Sequence, residues 1–162
     1  MIQKKNPMDK PIGSFTLLNN AALQVTCEKT LGLITRLILS LEKPITPTPS
    51  FQTLIQALWQ DSTMTYGHPL FSWMGLSVFQ KKVYEALLKV PKGQVLTYRE
   101  MAAQIGMPGA ARAVGHAMAT NPFPLVIPCH RIVRSDGTLG HYTPDPKIKR
   151  LLLETEGVIF TF

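Results

Sequence analysis

Apolar residues come in short runs near the N-terminus and recur at helical spacing from Ser77 onward. The runs Ser14-Phe-Thr-Leu-Leu and Leu31-Gly-Leu-Ile-Thr-Arg-Leu-Ile-Leu, bounded by turn residues, predict strands. Lys43-Pro-Ile-Thr-Pro-Thr-Pro-Ser holds three prolines in eight residues and predicts a loop. Apolar positions at Phe51, Leu54, Ile55, Leu58 and Trp59 then predict a short amphipathic helix. Residues 1–75 therefore read as a small α/β unit, with its end near residues 67–74.

From Ser77 the period is that of a helix. Val78, Phe79, Val83, Ala86 and Leu87 share one face, Ser77 stands ready as cap, and Pro91-Lys-Gly93 stops the run. Thr97 with Glu100 three residues later makes a capping box for a helix through Ile105. Gly106-Met-Pro-Gly109 turns the chain, and a second short helix, residues 110–119, runs up to Asn121-Pro122. Two short helices around a glycine turn form a helix-turn-helix pattern. An apolar segment, Leu125-Val-Ile127, leads to Pro128-Cys129, and Ser135-Asp-Gly137 makes a turn. Residues 139–146 read as an extended loop with Pro144 and Pro146, and residues 147–154 as a last helix with Ile148, Leu151 and Leu152 inward. The expected fold class is α+β, with a mostly helical second domain over residues 76–162.

Composition narrows the setting. The chain has 162 residues, 45% hydrophobic, enough to bury a core. No apolar run reaches the ~18–20 residues of a membrane span, and no apolar stretch follows the basic start. The expected setting is intracellular, cytoplasmic or nucleoid-associated, with no membrane partner. The two cysteines, Cys27 and Cys129, are not expected to pair in a reducing compartment. Four scattered histidines and no Cys-x-x-Cys spacing leave no metal site in view. Cys27 reads as a small core residue. The net charge of +7 suits a polyanion, and residues 76–162 carry most of it, with eleven Lys/Arg against six Asp/Glu.

Cys129 is the residue with chemistry to offer. It follows a proline-punctuated apolar stretch and precedes His130 and Arg131. Two neighbouring cations are one route to a thiolate, the reactive form of cysteine. A nucleophile just behind a DNA-reading helix points to chemistry on a base.

The residues from 76 to 158 resemble the O6-alkylguanine-DNA alkyltransferase family. The resemblance is carried by Val95-Leu-Thr-Tyr98, Arg112-Ala-Val-Gly115, Asn121-Pro122, Pro128-Cys-His-Arg131 and Leu152-Leu-Glu-Thr-Glu156-Gly157. The N-terminal unit is similar only in being a small domain. The resemblance implies a suicidal, single-turnover repair protein, a methylated-DNA–protein-cysteine methyltransferase needing no cofactor and no metal. It would act as a monomer on double-stranded DNA containing alkylated guanine, and also on O4-alkylthymine. Cys129 would accept the alkyl group, His130 act as base through a water, and Glu156, favoured over Glu154, orient that histidine. Tyr98 would crowd the backbone phosphate and hydrogen-bond the everted guanine. Arg112 would fill the vacated stack, with Ala113 and Gly115 on the same minor-groove helix, and Asn121 would tie that helix to the cysteine loop. Met118, Pro124, Ile132, Tyr142 and Thr143 would line the guanine pocket, with the carbonyls of Cys129 and Ile132.

The chain departs from the family pattern at Thr143-Pro-Asp-Pro146, where relatives are glycine-rich and two prolines are expected to stiffen the pocket loop. It departs again at His116, in a position that is commonly small. Two other readings remain from the sequence. One is a damage sensor that binds without transfer, and the other a helix-turn-helix regulator whose cysteine only packs.

Overall fold

The computed structural model describes residues 11–16, 22–30, 33–41, 71–143 and 145–160, and before residue 33 the side chain of Val25 alone. The predicted helix Phe51–Trp59, the proline-rich segment from Lys43 and the side chain of Cys27 lie outside the described residues.

The fold is α+β, as the sequence predicts. Strands β1 (Pro11–Thr16), β2 (Ala22–Thr30) and β3 (Leu33–Leu41) form an antiparallel sheet in that order. The sequence runs foresaw β1 and β3 to within a few residues. In β3, Ile34, Leu37 and Leu39 are all buried, which simple alternation forbids for residue 34. A register shift opposite Glu28/Lys29 adds one residue to β3 and switches its parity, so that both ends face the core.

That core is continuous with the helical half. Ser72 N donates to Ile34 O (2.8 Å), and Leu37 N to Pro122 O (2.7 Å). Phe71, Trp73 and Phe123 stack edge-on over the join, with centroids 5.1–6.0 Å apart.

Helix α1 (Val78–Leu87) begins at a Ser77–Gln80 capping box, and α2 (Tyr98–Gln104) at the predicted Thr97–Glu100 box. Each box satisfies two orphan donors of a first turn. Tyr84 on α1 is fully buried and donates to Ala117 O (2.8 Å) near the end of α3 (Ala111–Ala119). The helix-turn-helix pair α2–α3 is thus braced from behind. A short parallel pairing, β4 (Leu96–Thr97) with β5 (Ile132–Val133), clamps the start of α2 to the segment just after Cys129. This pairing sets Tyr98 and Cys129 on neighbouring elements although they are far apart in sequence.

Helix α4 (Pro146–Thr155) corrects one expectation. Asp145 is its N-cap, accepting from Lys147 N (2.8 Å), and Pro146 sits in the first turn, where a missing N–H costs nothing. Asp145-Pro146 thus starts the helix instead of prolonging the loop, and Pro144 lies outside the described residues. Among the described residues no helix is long and apolar enough to cross a membrane.

Candidate active site

The chain between α3 and Cys129 is held under strain. Leu125 has φ +75°, a left-handed conformation that is costly for a branched side chain. Asn121 holds the turn closed: its Nδ2 donates to Ile127 O (3.0 Å), and its Oδ1 accepts from Phe123 N (2.9 Å). Asn121, just past the end of α3, thereby ties that helix to the cysteine segment.

Cys129–Arg131 is one turn of 3₁₀ helix, so consecutive side chains diverge. Cys129 is 4% exposed and lies at the wall of an open cavity of about 430 Å³. Its Sγ is 3.7 Å from Tyr142 Oη. Tyr98, Arg112, Gly115, Met118, Tyr142 and Thr143 line the same cavity. The structure therefore gathers seven of the sequence-singled residues, Cys129 included, around one space. Ala113 is exposed beside Arg112 on the outer face of α3.

Two expected wall residues lie elsewhere. Pro124 is buried in the strained turn, bridged to Ile127, and Ile132 is fully buried in β5. The Ile132 carbonyl accepts from Lys149 Nζ. Five cavity residues were not singled out from the sequence: Ala111, Ala119, Arg134, His141 and Lys149. Only Lys149 left a signal there. It sits between Ile148 and the Leu152-Leu153 pair on the buried stripe of an amphipathic helix.

The expected route to a Cys129 thiolate through its two sequence neighbours is also corrected. Arg131 turns away from Cys129: Nε and Nη2 grip the two oxygens of Glu156 at 3.0 and 2.7 Å, and Nη1 donates to Val90 O (2.6 Å). His130 Nε2 lies 3.1 Å from Glu156 Oε1. Burial pulls the imidazole down, more than Glu156 raises it, so His130 is neutral at pH 7. Burial alone would raise the Glu156 carboxyl, but His130 and Arg131 outweigh it and hold it at about 2. An ionised carboxylate only accepts, so the His130 proton sits on Nε2 and Nδ1 is the basic nitrogen.

Neither sequence neighbour of Cys129 therefore supplies a cation to it. Burial pushes the Cys129 thiol up, while the Asn121 and Tyr142 side chains and the charge of Lys149 pull it down. Lys149 is 1% exposed, packed 5.9 Å from the Tyr142 ring centroid, and burial lowers it to about 8. It is still mostly protonated at pH 7. Tyr142 is pushed well up by burial and by the Cys129 charge, so its phenol remains a donor to a thiolate. Burial also raises Tyr98, the Cys129 charge adds to that, and Arg134 opposes it.

Lys149→Met removes the lysine charge that favours the Cys129 thiolate. It is expected to shift the pH profile of Cys129 reaction with iodoacetamide upward by about one unit or more, the usual effect of losing a nearby opposite charge. An unmoved profile would show that the lysine only packs. Among the described residues no three His, Cys, Asp or Glu side chains gather as metal ligands would.

Residues 78–158 match the family model described as "6-O-methylguanine DNA methyltransferase, DNA binding domain". The chain belongs to this family. A methylated-DNA–protein-cysteine methyltransferase of Thermococcus sibiricus is 47% identical over 93 residues, which is 57% of this chain and 51% of that protein. The chain spans about half the length of the curated relatives it matches. The crystal structure of an O6-methylguanine-DNA methyltransferase from Pyrococcus kodakaraensis superposes with TM-score 0.75 at 26% identity, over 91% of this chain and 98% of that one. The Mycobacterium tuberculosis OGT, solved in complex with DNA, gives TM-score 0.64 at 33% identity, over 91% and 89%. The likeness to solved structures thus extends beyond the family-model segment.

Proposed function

We propose that this chain repairs O6-alkylguanine in duplex DNA, and O4-alkylthymine with it, by moving the alkyl group irreversibly to Cys129. The observation that carries the reading is that a buried cysteine sulfur and the Arg112 face of a helix-turn-helix open onto one cavity. The target atom of a stacked guanine is out of reach, so the nucleotide must rotate out of the helix into that cavity. Arg112, exposed at the start of α3, fills the vacated stack, since its planar cation both stacks and hydrogen-bonds.

The step itself is a displacement at carbon. The Cys129 proton passes through a water to His130 Nδ1, with Glu156 steadying the imidazolium that forms. The sulfur lone pair then makes the S–C bond as the C–O6 bond breaks, and the electron pair leaves with guanine. Tyr98, kept protonated by burial, hydrogen-bonds the departing base and spreads that charge. The thioether has no easy return to thiolate, so each molecule acts once. No cofactor or metal takes part in the proposed chemistry.

Incubation with a duplex carrying one O6-methylguanine is expected to add one methyl to the peptide containing Cys129 and to restore guanine in the DNA. An unmodified peptide beside persistent lesion refutes the reading. Arg112→Ala is expected to slow transfer from duplex about a hundredfold or more, and to slow reaction with free O6-benzylguanine at least tenfold less, because an effective misplacement of substrate costs about that much. Equal losses on the two substrates would remove the stacking role.

A further inference from the structure

The cavity carries more positive charge than a neutral alkylguanine needs. Arg112, Arg134 and Lys149 all line it, and no carboxylate does. Lys149 faces Cys129 and Arg112 stands on the recognition helix, but Arg134 has no part in the chemistry above. Its placement is nevertheless built. A tight turn holds its backbone: Arg134 N donates to Thr138 O (2.9 Å), and Gly137 N donates back to Arg134 O (3.1 Å). The side chain then lies over Gly140, whose φ of +70° lets the backbone pass beneath. A Cβ at Gly140 would stand 3.3 Å from Arg134 Cγ, 3.5 Å from Arg134 Nε and 3.5 Å from the Tyr98 hydroxyl. The guanidinium stem and the Tyr98 phenol therefore converge on one spot at the cavity wall. Asp136, the carboxylate that feels the Arg134 charge, is spent on Thr138, accepting from its N (2.9 Å) and Oγ1 (2.7 Å). The arginine itself is exposed, and no ion pair engages it among the described residues.

We propose that Arg134 is a positioning residue that grips the phosphate flanking the everted nucleotide and holds it at the cavity mouth. The inference rests on the repair reading and deepens it. A nucleotide that rotates out of a duplex carries its own phosphate toward the protein, and the guanidinium fork matches phosphate oxygens two at a time. Arg112 enters the helix, whereas Arg134 holds the strand that has left it.

The test compares Arg134→Ala and Arg134→Lys with wild type in single-turnover transfer from an O6-methylguanine duplex and from free O6-benzylguanine. Arg134→Ala is expected to lose about tenfold to a hundredfold on the duplex, the worth of a charge-assisted hydrogen bond. Its loss on the free base should be at least tenfold smaller, and Arg134→Lys should recover part of the duplex rate. The slope of log affinity against log salt should flatten by about one phosphate. Duplexes with a neutral methylphosphonate on the 5′ or the 3′ side of the lesion decide the contact: at one of the two, the Arg134→Ala penalty should vanish. A penalty that survives both replacements, or matches the free-base loss, overturns the proposal. If wild type transfers nothing, the repair reading falls by itself, and the salt slope and methylphosphonate effect on lesion-duplex binding still decide for or against Arg134.

Discussion

Cys129→Ser is expected to abolish alkyl transfer while leaving affinity for a lesion-bearing duplex within about threefold of wild type. The substitution keeps the shape of a 4% exposed side chain beside Tyr142, so the strained turn and the recognition helix have no reason to move. What changes is the nucleophile. A hydroxyl stays protonated where a thiol ionises, and Lys149 with Tyr142 cannot make up that difference. Loss of a nucleophile costs roughly 10⁴-fold or more in other systems, which in a single-turnover assay is silence. Intact-mass measurement after long incubation reads the transfer, and a gel shift reads the binding. Slow methylation of the serine variant at another residue would move the acceptor away from position 129. Loss of binding in step with transfer would instead mean that the cysteine is part of the DNA surface.

Local chemistry was legible in the sequence where it is local in the structure. The Thr97–Glu100 box could be read from spacing because both partners lie within one helical turn, and the structure has both hydrogen bonds, at 2.6 and 3.1 Å. The Asn121 tie likewise spans only six residues. The reading of Cys129 failed on its immediate neighbours for the opposite reason. Adjacency in sequence says nothing of direction, and a 3₁₀ turn sends His130 and Arg131 to Glu156, twenty-five and more residues onward. The cation that does reach the sulfur, Lys149, shows in the sequence only as a lysine on the buried stripe of α4; which group it meets is set by how that helix packs. Arg134 and His141 gave no signal at all, because a polar residue after a turn looks the same whether it faces solvent or a cavity. Pro146 misleads differently: a second proline reads as a loop stiffener, whereas Asp145 before it makes Asp145-Pro146 a helix start.

Glu156→Ala is expected to be the most destabilising single change at the site, by about 3–5 kcal/mol, the cost of removing one partner from a buried ion pair. The Glu156 side chain is 1% exposed and takes three hydrogen bonds, two from Arg131 and one from His130. Its loss leaves a guanidinium, itself 10% exposed, with only the Val90 carbonyl, and leaves His130 without the acceptor that fixes its tautomer. For a chain of this length the drop corresponds to roughly 10 °C in melting temperature. The pH dependence gives a sharper signature. The carboxyl is held at about 2 in the folded protein against an ordinary value of 4.5, so its contribution is fully present above the unfolded value and disappears as pH falls toward 2. Wild type should therefore lose on the order of 3 kcal/mol across that acid window, and Glu156→Ala should lose much less over the same range. Glu156→Gln separates structure from chemistry. The amide keeps the volume and can still accept from Arg131, so more of the stability survives. It carries no charge to steady a His130 imidazolium, so transfer should fall by about 10²-fold or more, in the range of general-base catalysis. A glutamine variant that is as active as wild type would reduce Glu156 to a brace for Arg131.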